Sequence, residues 1–465
     1  MLWFGKTLMF NLHILCRGKI DLPILPIDTG RYGTPEMLRV FEEEARVQRL
    51  LDVEAALALA HAEVGNIPME DAEKIAAMAS TKYVKVKRVK AIEKEIKHDI
   101  ASLVRALAEV CGSSGAYVHL GATSYDIVDT ANALQLKDAI DIIEKKLVMF
   151  KRILQKHAAK HKRTVMIGRT HGQHALPITL GFKFAVWGYE VSRHIKRLND
   201  CKPRVLVGKI SGAVGTQAGL GEHAPRIQEL VMKQLGLHAA EISTQIVQRD
   251  RYAEYVCILA MIASSLDNFA TEIRELQRPE IGELFESFEK KKQVGSSTMP
   301  HKRNPETCER ICGLARIVRS LVIPALENSV TWHERDLTQS SAERFIFPES
   351  CILTDYMLLL MSKVVSNLRV DKLNMLRNID LTQGRTMSEA VMMALARKGW
   401  NRQEAHELLR KLTILSEVEQ NNFLAFLETT PVIDTLTKKE LHAALNPKNY
   451  LGTAVKQAEK FAKSD

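Results

Sequence analysis

The sequence has few cysteines and no long apolar run, and each deficit excludes a class of protein. Seven of the 465 residues are cysteine, and they are scattered along the chain. An odd, scattered set does not supply the pairs of a disulfide framework, so it indicates a reduced, cytoplasmic protein. Because no run of roughly 18 apolar residues occurs, we expect no membrane-spanning segment.

Clear signals for a metal site or a phosphate-binding loop are also missing. Cys308 and Cys312 lie one helical turn apart, but no second pair of Cys or His lies nearby. We therefore interpret them as core or groove thiols and expect no metal. The glycine-rich segment 208–221 lacks a terminal Gly-Lys-Ser/Thr, so we expect a loop packed closely against other backbone.

The charge of the chain does not indicate a nucleic-acid partner. The net charge is +10, but acidic residues are interspersed among the lysines and arginines. The densest basic run, Lys82–Lys97, contains six lysines and one arginine. We interpret it as the solvated face of a helix. A basic field of this kind would still steer a small polyanionic substrate.

The first 24 residues differ in character from the rest. Met1–Ile14 is apolar but is interrupted by Asn11 and His13, and no small-residue cleavage site follows. A signal peptide needs both a clean apolar core and such a site. We interpret residues 1–24 as a loosely attached extension or a non-native upstream start.

Helical periodicity dominates the remaining sequence and predicts an all-α protein. Apolar residues recur at i, i+3, i+4 and i+7 over several long windows. The windows are Pro35–Val64, Thr123–Phe150, Pro177–Leu198, Gln245–Leu276, Pro305–Leu326 and Pro348–Leu368. Long helices without intervening strands imply a bundle. Breaks between them suggest an N-terminal helical domain at 25–122, a central bundle domain at 123–370 and a C-terminal helical domain at 371–465.

The segment Gly295–Pro305 combines a glycine, hydroxyl groups, fixed cations and a predicted helix start. Asn304 suits the N-cap and Pro305 the first helical position. A helix N-terminus attracts anions through its free amides. The segment therefore has the composition of a loop that binds an anionic ligand.

This segment resembles the signature loop of the fumarase/aspartase superfamily, whose lyases eliminate fumarate from a succinyl group. His119–Asp126 and Gly168–Ala175 resemble two further segments of that superfamily, in the same order. The resemblance extends from residue 27 to about 460. It implies a three-domain fold with a central long-helix bundle, and a homotetramer whose sites combine segments of three subunits. We expect no metal or organic cofactor, since fixed protein charges can stabilise the intermediate.

The resemblance also implies a catalytic set. Ser296 matches the general base, with Ser297 as the rival and His301 as a weaker alternative. Lys302, backbone amides of the loop and the helix N-terminus suit the stabilisation of its alkoxide, and Lys302 and Asn304 also suit the substrate carboxylates. His171 matches the general acid, with His174 as the weaker alternative. Glu309 resembles the carboxylate that orients this histidine, and such a pairing raises a histidine pKa.

Further residues resemble those that hold the substrate in the superfamily. His119 precedes the helix that starts near Thr123 and Ser124, and this pair resembles the group that holds a succinyl carboxylate. Thr123 and Asp126 also have capping-box spacing. The remaining candidates are His98 and Asp99, assigned to the lysine-rich helix, and Gln245.

Two segments resemble the adenylosuccinate lyase family in particular. In Arg31–Met37, Arg31 and Tyr32 match residues that touch a nucleotide phosphate. In His333–Arg344, Arg335, Ser340 and Arg344 match the family's residues that bind the phosphate and carboxylate groups of the substrate. The spacing of Ser340 and Glu343 also suggests a capping box at a helix start. The implied substrate is a succinylated purine nucleotide.

Two other classes of function compete with this interpretation. Argininosuccinate lyase is the nearest alternative within the superfamily. A catalytically silent helical scaffold or a basic RNA-binding protein is the alternative outside it. The intact Ser296, Lys302, Asn304 and His171 argue against the scaffold. The scattered charge and the lack of an RNA-binding motif argue against RNA.

Overall fold

The computed structural model describes residues 25–287 and 298–464. The predictions for the N-terminal extension, for Ser296 and for Ser297 therefore lie outside the described residues. The all-α prediction is confirmed, because helices form most of the described chain.

The N-terminal part contains five α-helices. They are α1 (Pro35–Phe41), α2 (Glu43–Glu63), α3 (Met69–Met78), α4 (Val86–Ile96) and α5 (Asp99–Cys111). The single helix predicted over Pro35–Val64 is wrong. The chain is extended at Glu42 (φ −63°, ψ 152°), which ends α1 and starts α2. The lysines of 82–97 are exposed, as predicted for a solvated helix face.

Long helices form the central part. They are α6 (Ser124–His161), α7 (Leu180–Val205), α8 (Ala224–Leu235), α9 (Asp250–Gln277), α10 (Glu306–Ser320), α11 (Val322–Glu327) and α12 (Thr338–Ser366). Helix α6 has 38 residues, a length of roughly 57 Å. Fully buried Phe150, Phe184 and Phe269 lie in the core that α6, α7 and α9 share with α10 and α12. The predicted bundle is therefore present.

Short strands connect some of these helices. Strands β1 (Val165–Thr170) and β2 (Gln173–Thr179) form an antiparallel hairpin. The two-residue strands are β3 (Val207–Gly208), β4 (His238–Ala239), β5 (Leu284–Phe285) and β6 (Arg369–Val370), paired β3 with β4 and β5 with β6. The helix predicted from Pro177 is wrong at its start, since Pro177 pairs with Ile167 in the hairpin. Helix α7 begins after Thr179, whose hydroxyl accepts from Phe182 N at 3.1 Å.

Helix α12 begins earlier than predicted. Pro348 lies inside α12, and Ser340 is in its first turn, so neither starts the helix. The predicted capping box of Ser340 and Glu343 is wrong. Glu343 is buried and its carboxylate is bound by Arg249 instead.

The glycine-rich segment packs closely against backbone, as predicted. A Cβ built on Gly215 would lie 2.1 Å from the carbonyl oxygen of Ser243. A Cβ on Gly121, which has φ +68°, would lie 2.7 Å from that of Gly219. These contacts leave no room for a side chain.

The C-terminal part contains α13 (Lys372–Asp380), α14 (Ser388–Arg397), α15 (Arg402–Val418), α16 (Phe423–Leu427), α17 (Val432–Thr435), α18 (Lys438–Leu445) and α19 (Ala454–Ala462). Helices α14 to α18 enclose a separate small core that includes Val391, Leu409 and Phe423. Helix α19 instead packs against α6 and α7, with Phe461 in the central core. The predicted division into domains remains a prediction.

Two helices of the described chain are long and strongly apolar, although neither contains an uninterrupted apolar run of roughly 18 residues. By length and composition alone, α9 and α12 are apolar enough to cross a membrane. Within the protein, 61% and 72% of their apolar windows are buried. Core helices have the same composition, and packing in the bundle accounts for it.

The cysteine pair is buried, as expected for core thiols. Cys308 and Cys312 are almost fully buried, and burial raises the pKa of both thiols. Within 25–287 and 298–464, no group of three or more His, Cys, Asp or Glu side chains is placed to hold a metal.

Candidate active site

The structure brings three predicted segments together around Tyr125. Arg335 Nη1 donates to Gln245 Oε1 at 2.8 Å. The Arg335 guanidinium also lies 3.6 Å from the centre of the Tyr125 ring. Gln245 Nε2 in turn donates to the carbonyl of Ala213 at 2.7 Å. The buried Nε of Arg335 has no hydrogen-bond partner in the described part of the chain.

A pocket of about 100 Å³ lies beside this cluster, between α2, α6 and α12. Its lining includes Arg46, Tyr125, Ser340 and Arg344. Burial, followed by the charge of Arg344, lowers the pKa of the Arg46 guanidinium. Two cations at one small pocket favour an anionic ligand.

Sequence reasoning missed Arg46 and Tyr125, which both line this pocket. Tyr125 lies within the segment His119–Asp126 that carried the resemblance, but only its neighbours Thr123 and Ser124 were singled out. Arg46 lies in a helix with no motif around it, so no signal in the sequence distinguishes it. Burial raises the pKa of the Tyr125 hydroxyl, which therefore stays protonated at neutral pH.

His98 and Asp99 lie at the rim of the same region. They are not on the lysine-rich helix α4, as predicted, but at the start of α5. His98 caps α5, with Nδ1 accepting from Ala101 N at 3.2 Å. Asp99 Oδ2 accepts from Arg344 Nη2 at 2.9 Å. This contact joins the starts of α5 and α12.

His119 is oriented by a carboxylate that the sequence did not reveal. Its Nδ1 lies 2.7 Å from Glu54 Oε1, and Glu54 is buried. Burial alone would lower the pKa of His119, but the hydrogen bond and charge of Glu54 outweigh it and raise that pKa. The backbone of His119 is left-handed (φ +64°). It therefore turns the chain just before α6.

The start of α6 has the capping box that the sequence predicts. Thr123 is the N-cap, and its backbone N–H donates to Asp126 Oδ2 at 2.8 Å. Buried Asp126 also binds the ammonium of Lys209 and accepts from Ser211 N at 2.8 Å. The glycine-rich segment is thereby anchored beneath Thr123 and Ser124.

Tyr32 lies against α12 at Tyr356, and Arg31 lies beside Tyr32. The Arg31 guanidinium is 5.8 Å from the centre of the Tyr32 ring. That ring lies 6.0 Å from the ring of Tyr356, measured between centroids. Among the described contacts, none joins Arg31 or Tyr32 directly to Arg335, Ser340 or Arg344.

The predicted acid and its orienting carboxylate do not meet within one chain. His171 is exposed at the turn between β1 and β2, with φ +55°. In the described residues, its side chain makes no hydrogen bond or ion pair. Glu309 is exposed on α10 and its charge acts on Arg274. Burial, followed by the charge of Arg169, lowers the pKa of the alternative acid, His174.

The N-terminus of α10 differs from the prediction. Pro305 is the N-cap and Glu306 the first helical residue, so Asn304 lies one position before the cap. The carboxylate of Glu286 accepts from Thr307 N at 3.2 Å and from Cys308 N at 3.1 Å. These two amides are therefore already occupied by an anion of the same chain. For these two amides, the prediction that the helix start is open to a substrate anion is wrong. Exposed Lys302 lies just before this helix start.

Two protein families match large parts of the chain. A family described as "Lyase" matches residues 30–319. A second, described as "Adenylosuccinate lyase C-terminus", matches residues 384–461.

Individual relatives match almost the whole chain. An adenylosuccinate lyase of Methanocaldococcus jannaschii is 51% identical over 456 residues, which is 98% of both chains. One of Pyrococcus abyssi is 55% identical over 434 residues, covering 93% of this chain and 96% of that one.

Solved structures show the same fold. A fumarate lyase from Mesorhizobium sp. BNC1 has a TM-score of 0.87 at 32% identity, covering 95% of this chain and 100% of that one. The 3-carboxy-cis,cis-muconate lactonizing enzyme from Pseudomonas putida has a TM-score of 0.85 at 35% identity, covering 94% and 98%. The predicted fumarase/aspartase-like architecture is confirmed.

Proposed function

Since this chain belongs to the adenylosuccinate lyase family, we propose that it eliminates fumarate from adenylosuccinate to give AMP. We propose the same cleavage for the succinylated aminoimidazole carboxamide ribotide of purine synthesis. The site observation that carries the proposal is the grouping of Arg46, Arg335 and Arg344 around Tyr125. Three guanidinium groups suit a ligand with one phosphate and two carboxylates.

The proposed reaction is a proton-transfer elimination. Ser296, as alkoxide, removes a proton from the carbon next to a succinyl carboxylate. Negative charge then builds on that carboxylate, where the cation of Lys302 stabilises it. The carbon–nitrogen bond breaks as His171 protonates the leaving nitrogen. Glu309 orients His171 and favours its protonated form.

The remaining predicted residues hold the substrate. Tyr32 and the cations near α12 suit the phosphate, and the start of α6 suits the succinyl group. The proposed substrate-binding set is Arg31, Tyr32, His98, Asp99, His119, Thr123, Ser124, Gln245, Asn304, Arg335, Ser340 and Arg344. Neither a metal nor an organic cofactor has a step in this scheme, because protein charges stabilise the intermediate.

We propose a homotetramer with shared active sites. Support comes from His171 and Glu309, which are both exposed and do not meet within one chain. A second subunit that brings Glu309 to the hairpin would complete the pair. A closed symmetric oligomer would repeat that composite site around its axes. We also propose a cytoplasmic location, with no nucleic acid or membrane as partner.

Subunit mixing tests the shared site. His171→Ala and Ser296→Ala should each be inactive alone, because every site in each homo-oligomer carries the defect. After the two variants are dissociated and reassociated together, some sites contain both intact groups, and partial activity should return. Self-mixing of each variant is the control. Demonstrated subunit exchange without activity would refute the shared site or one of the two assignments.

A substrate panel tests the reaction itself. The purified protein should release fumarate, followed by its ultraviolet absorbance, from adenylosuccinate and from the succinylated ribotide. It should release none from argininosuccinate. Turnover of argininosuccinate alone would identify the rival lyase, and salt-sensitive RNA binding without turnover would identify the non-enzymatic rival.

A further inference from the structure

Three buried charged side chains lie at the base of the substrate pocket, and one of them, Glu343, is part of its lining. They are Asp129 in α6, Arg249 at the start of α9 and Glu343 in α12, and each is at most 5% exposed. They are far apart in the sequence, and no motif marks Arg249. Neither the proposed chemistry nor the proposed binding set uses any of them.

Arg249 uses almost its whole guanidinium fork in this cluster. Nη1 and Nη2 donate to the two oxygens of Asp129 at 2.9 and 2.8 Å. Nε donates to Glu343 Oε1 at 2.8 Å. Nη1 also donates to the carbonyl of Val247 at 2.7 Å, and Val247 N donates to Asp129 at 2.9 Å. One side chain therefore ties together two helices and the segment before a third.

Each element that Arg249 ties carries a residue of the pocket or, in the case of Gln245, of the Arg335 cluster beside it. Tyr125 lies one turn before Asp129 on α6. Gln245 lies two residues before Val247. Arg344 follows Glu343 directly in α12, and Ser340 lies one turn earlier. The buried cluster therefore sets the distances between groups that different parts of the chain supply.

We propose that Arg249 is a positioning residue for substrate binding, which holds Tyr125, Gln245 and Arg344 at the spacing that the substrate anions require. This inference rests on the proposed function. The geometry needs arginine in particular, because a planar fork binds two carboxylates at once. A lysine keeps the charge but can donate to the two carboxylates only as a point charge. Arg249 does not touch the pocket, so it acts through the residues it holds.

The test separates positioning from a general loss of folding. Arg249→Lys keeps the buried charge, and the folded fraction is measured by circular dichroism and size-exclusion chromatography. Displacement of binding groups should raise KM for adenylosuccinate at least tenfold, since misplacements of about 1 Å can cost on the order of 100-fold. We expect kcat per folded site to change by less than about threefold. A merely structural role would lower the amount of folded enzyme and leave KM unchanged.

A second variant keeps the test decisive if Arg249→Lys fails to fold. Glu343→Gln preserves the shape and one acceptor for Arg249 Nε while it removes the charge. It should fold and should raise KM more than it changes kcat. The matched control is Arg204→Lys, because Arg204 of α7 binds Glu254 of α9 through Nε at 2.8 Å on the exposed surface. This control should leave KM unchanged.

The outcomes distinguish this inference from the proposed function. Lack of wild-type turnover with adenylosuccinate would overturn the proposed function and this inference with it. Wild-type turnover, together with unchanged KM in folded Arg249→Lys or in folded Glu343→Gln, would overturn this inference alone. An equal rise of KM in Arg204→Lys would also overturn it, because the effect would then not depend on the buried cluster.

Discussion

Gly188→Ala should loosen the attachment of the C-terminal helix α19 to the bundle. Gly188 is buried in α7. A Cβ built on it would lie 1.8 Å from Cζ and 2.3 Å from Cε1 of Phe461. Phe461 is fully buried, and its ring also packs on Tyr189 at 5.1 Å between centroids. The ring therefore has to move, and α19 with it.

Two opposing effects set the magnitude. Alanine favours a helix interior over glycine by about 1 kcal/mol. Overpacking a core costs about 1–3 kcal/mol, and complete loss of a buried Phe contact costs about 3–5 kcal/mol. An overlap of this depth belongs between the upper end of overpacking and full expulsion of the ring. We therefore expect Gly188→Ala to lower the free energy of unfolding by about 2–4 kcal/mol.

Urea unfolding at one protein concentration measures the change. The matched control is Gly313→Ala in α10, where a Cβ meets nothing within 4 Å, so this variant should be as stable as wild type or more stable. In a Phe461→Ala background, Gly188→Ala should become neutral or stabilising, because the clash is gone. An equal loss of stability in both backgrounds would refute the role of Phe461.

Three further predictions address the chemistry and the buried charges. Ser296→Ala should reduce kcat by about 10²–10⁴ while substrate binding stays largely intact, and a larger loss in Ser297→Ala than in Ser296→Ala would show that the base is assigned wrongly. Burial raises the pKa of Glu343 to about 7 despite the charge of Arg249, with Asp129 and Arg335 as the other charges that face it. This carboxylate is therefore ionised above that pH and protonated below it. The ratio of the KM of Glu343→Gln to the KM of the wild type should therefore fall towards one as the pH falls through about 7. A ratio that does not change with pH would contradict this. Lys209→Met should lower the free energy of unfolding, measured in urea, by about 3–5 kcal/mol, because it leaves the buried carboxylate of Asp126 without its cation. A loss below about 1 kcal/mol would show that backbone amides alone stabilise the Asp126 carboxylate.

The sequence by itself determined the helical class and the motif segments, because both depend on residues close together in the chain, but it misplaced helix ends at Glu42, Pro177 and Ser340. Periodic apolar positions predict the α6, α9 and α10 regions, and the spacing of Thr123 and Asp126 predicts the capping box that α6 has. The same local reading placed His119, Thr123 and Ser124 together before α6. Such patterns need no knowledge of what the helix packs against.

Tertiary structure decided which partner a polar group binds wherever a residue distant in the sequence competes with a neighbouring one. The spacing of Ser340 and Glu343 suits a capping box, but Arg249, 94 residues away from Glu343, binds that carboxylate instead. The start of α10 suits an anion, but Glu286 already occupies two of its amides. A buried charge is stable only with a partner, and the partner is chosen by how the helices pack rather than by sequence spacing.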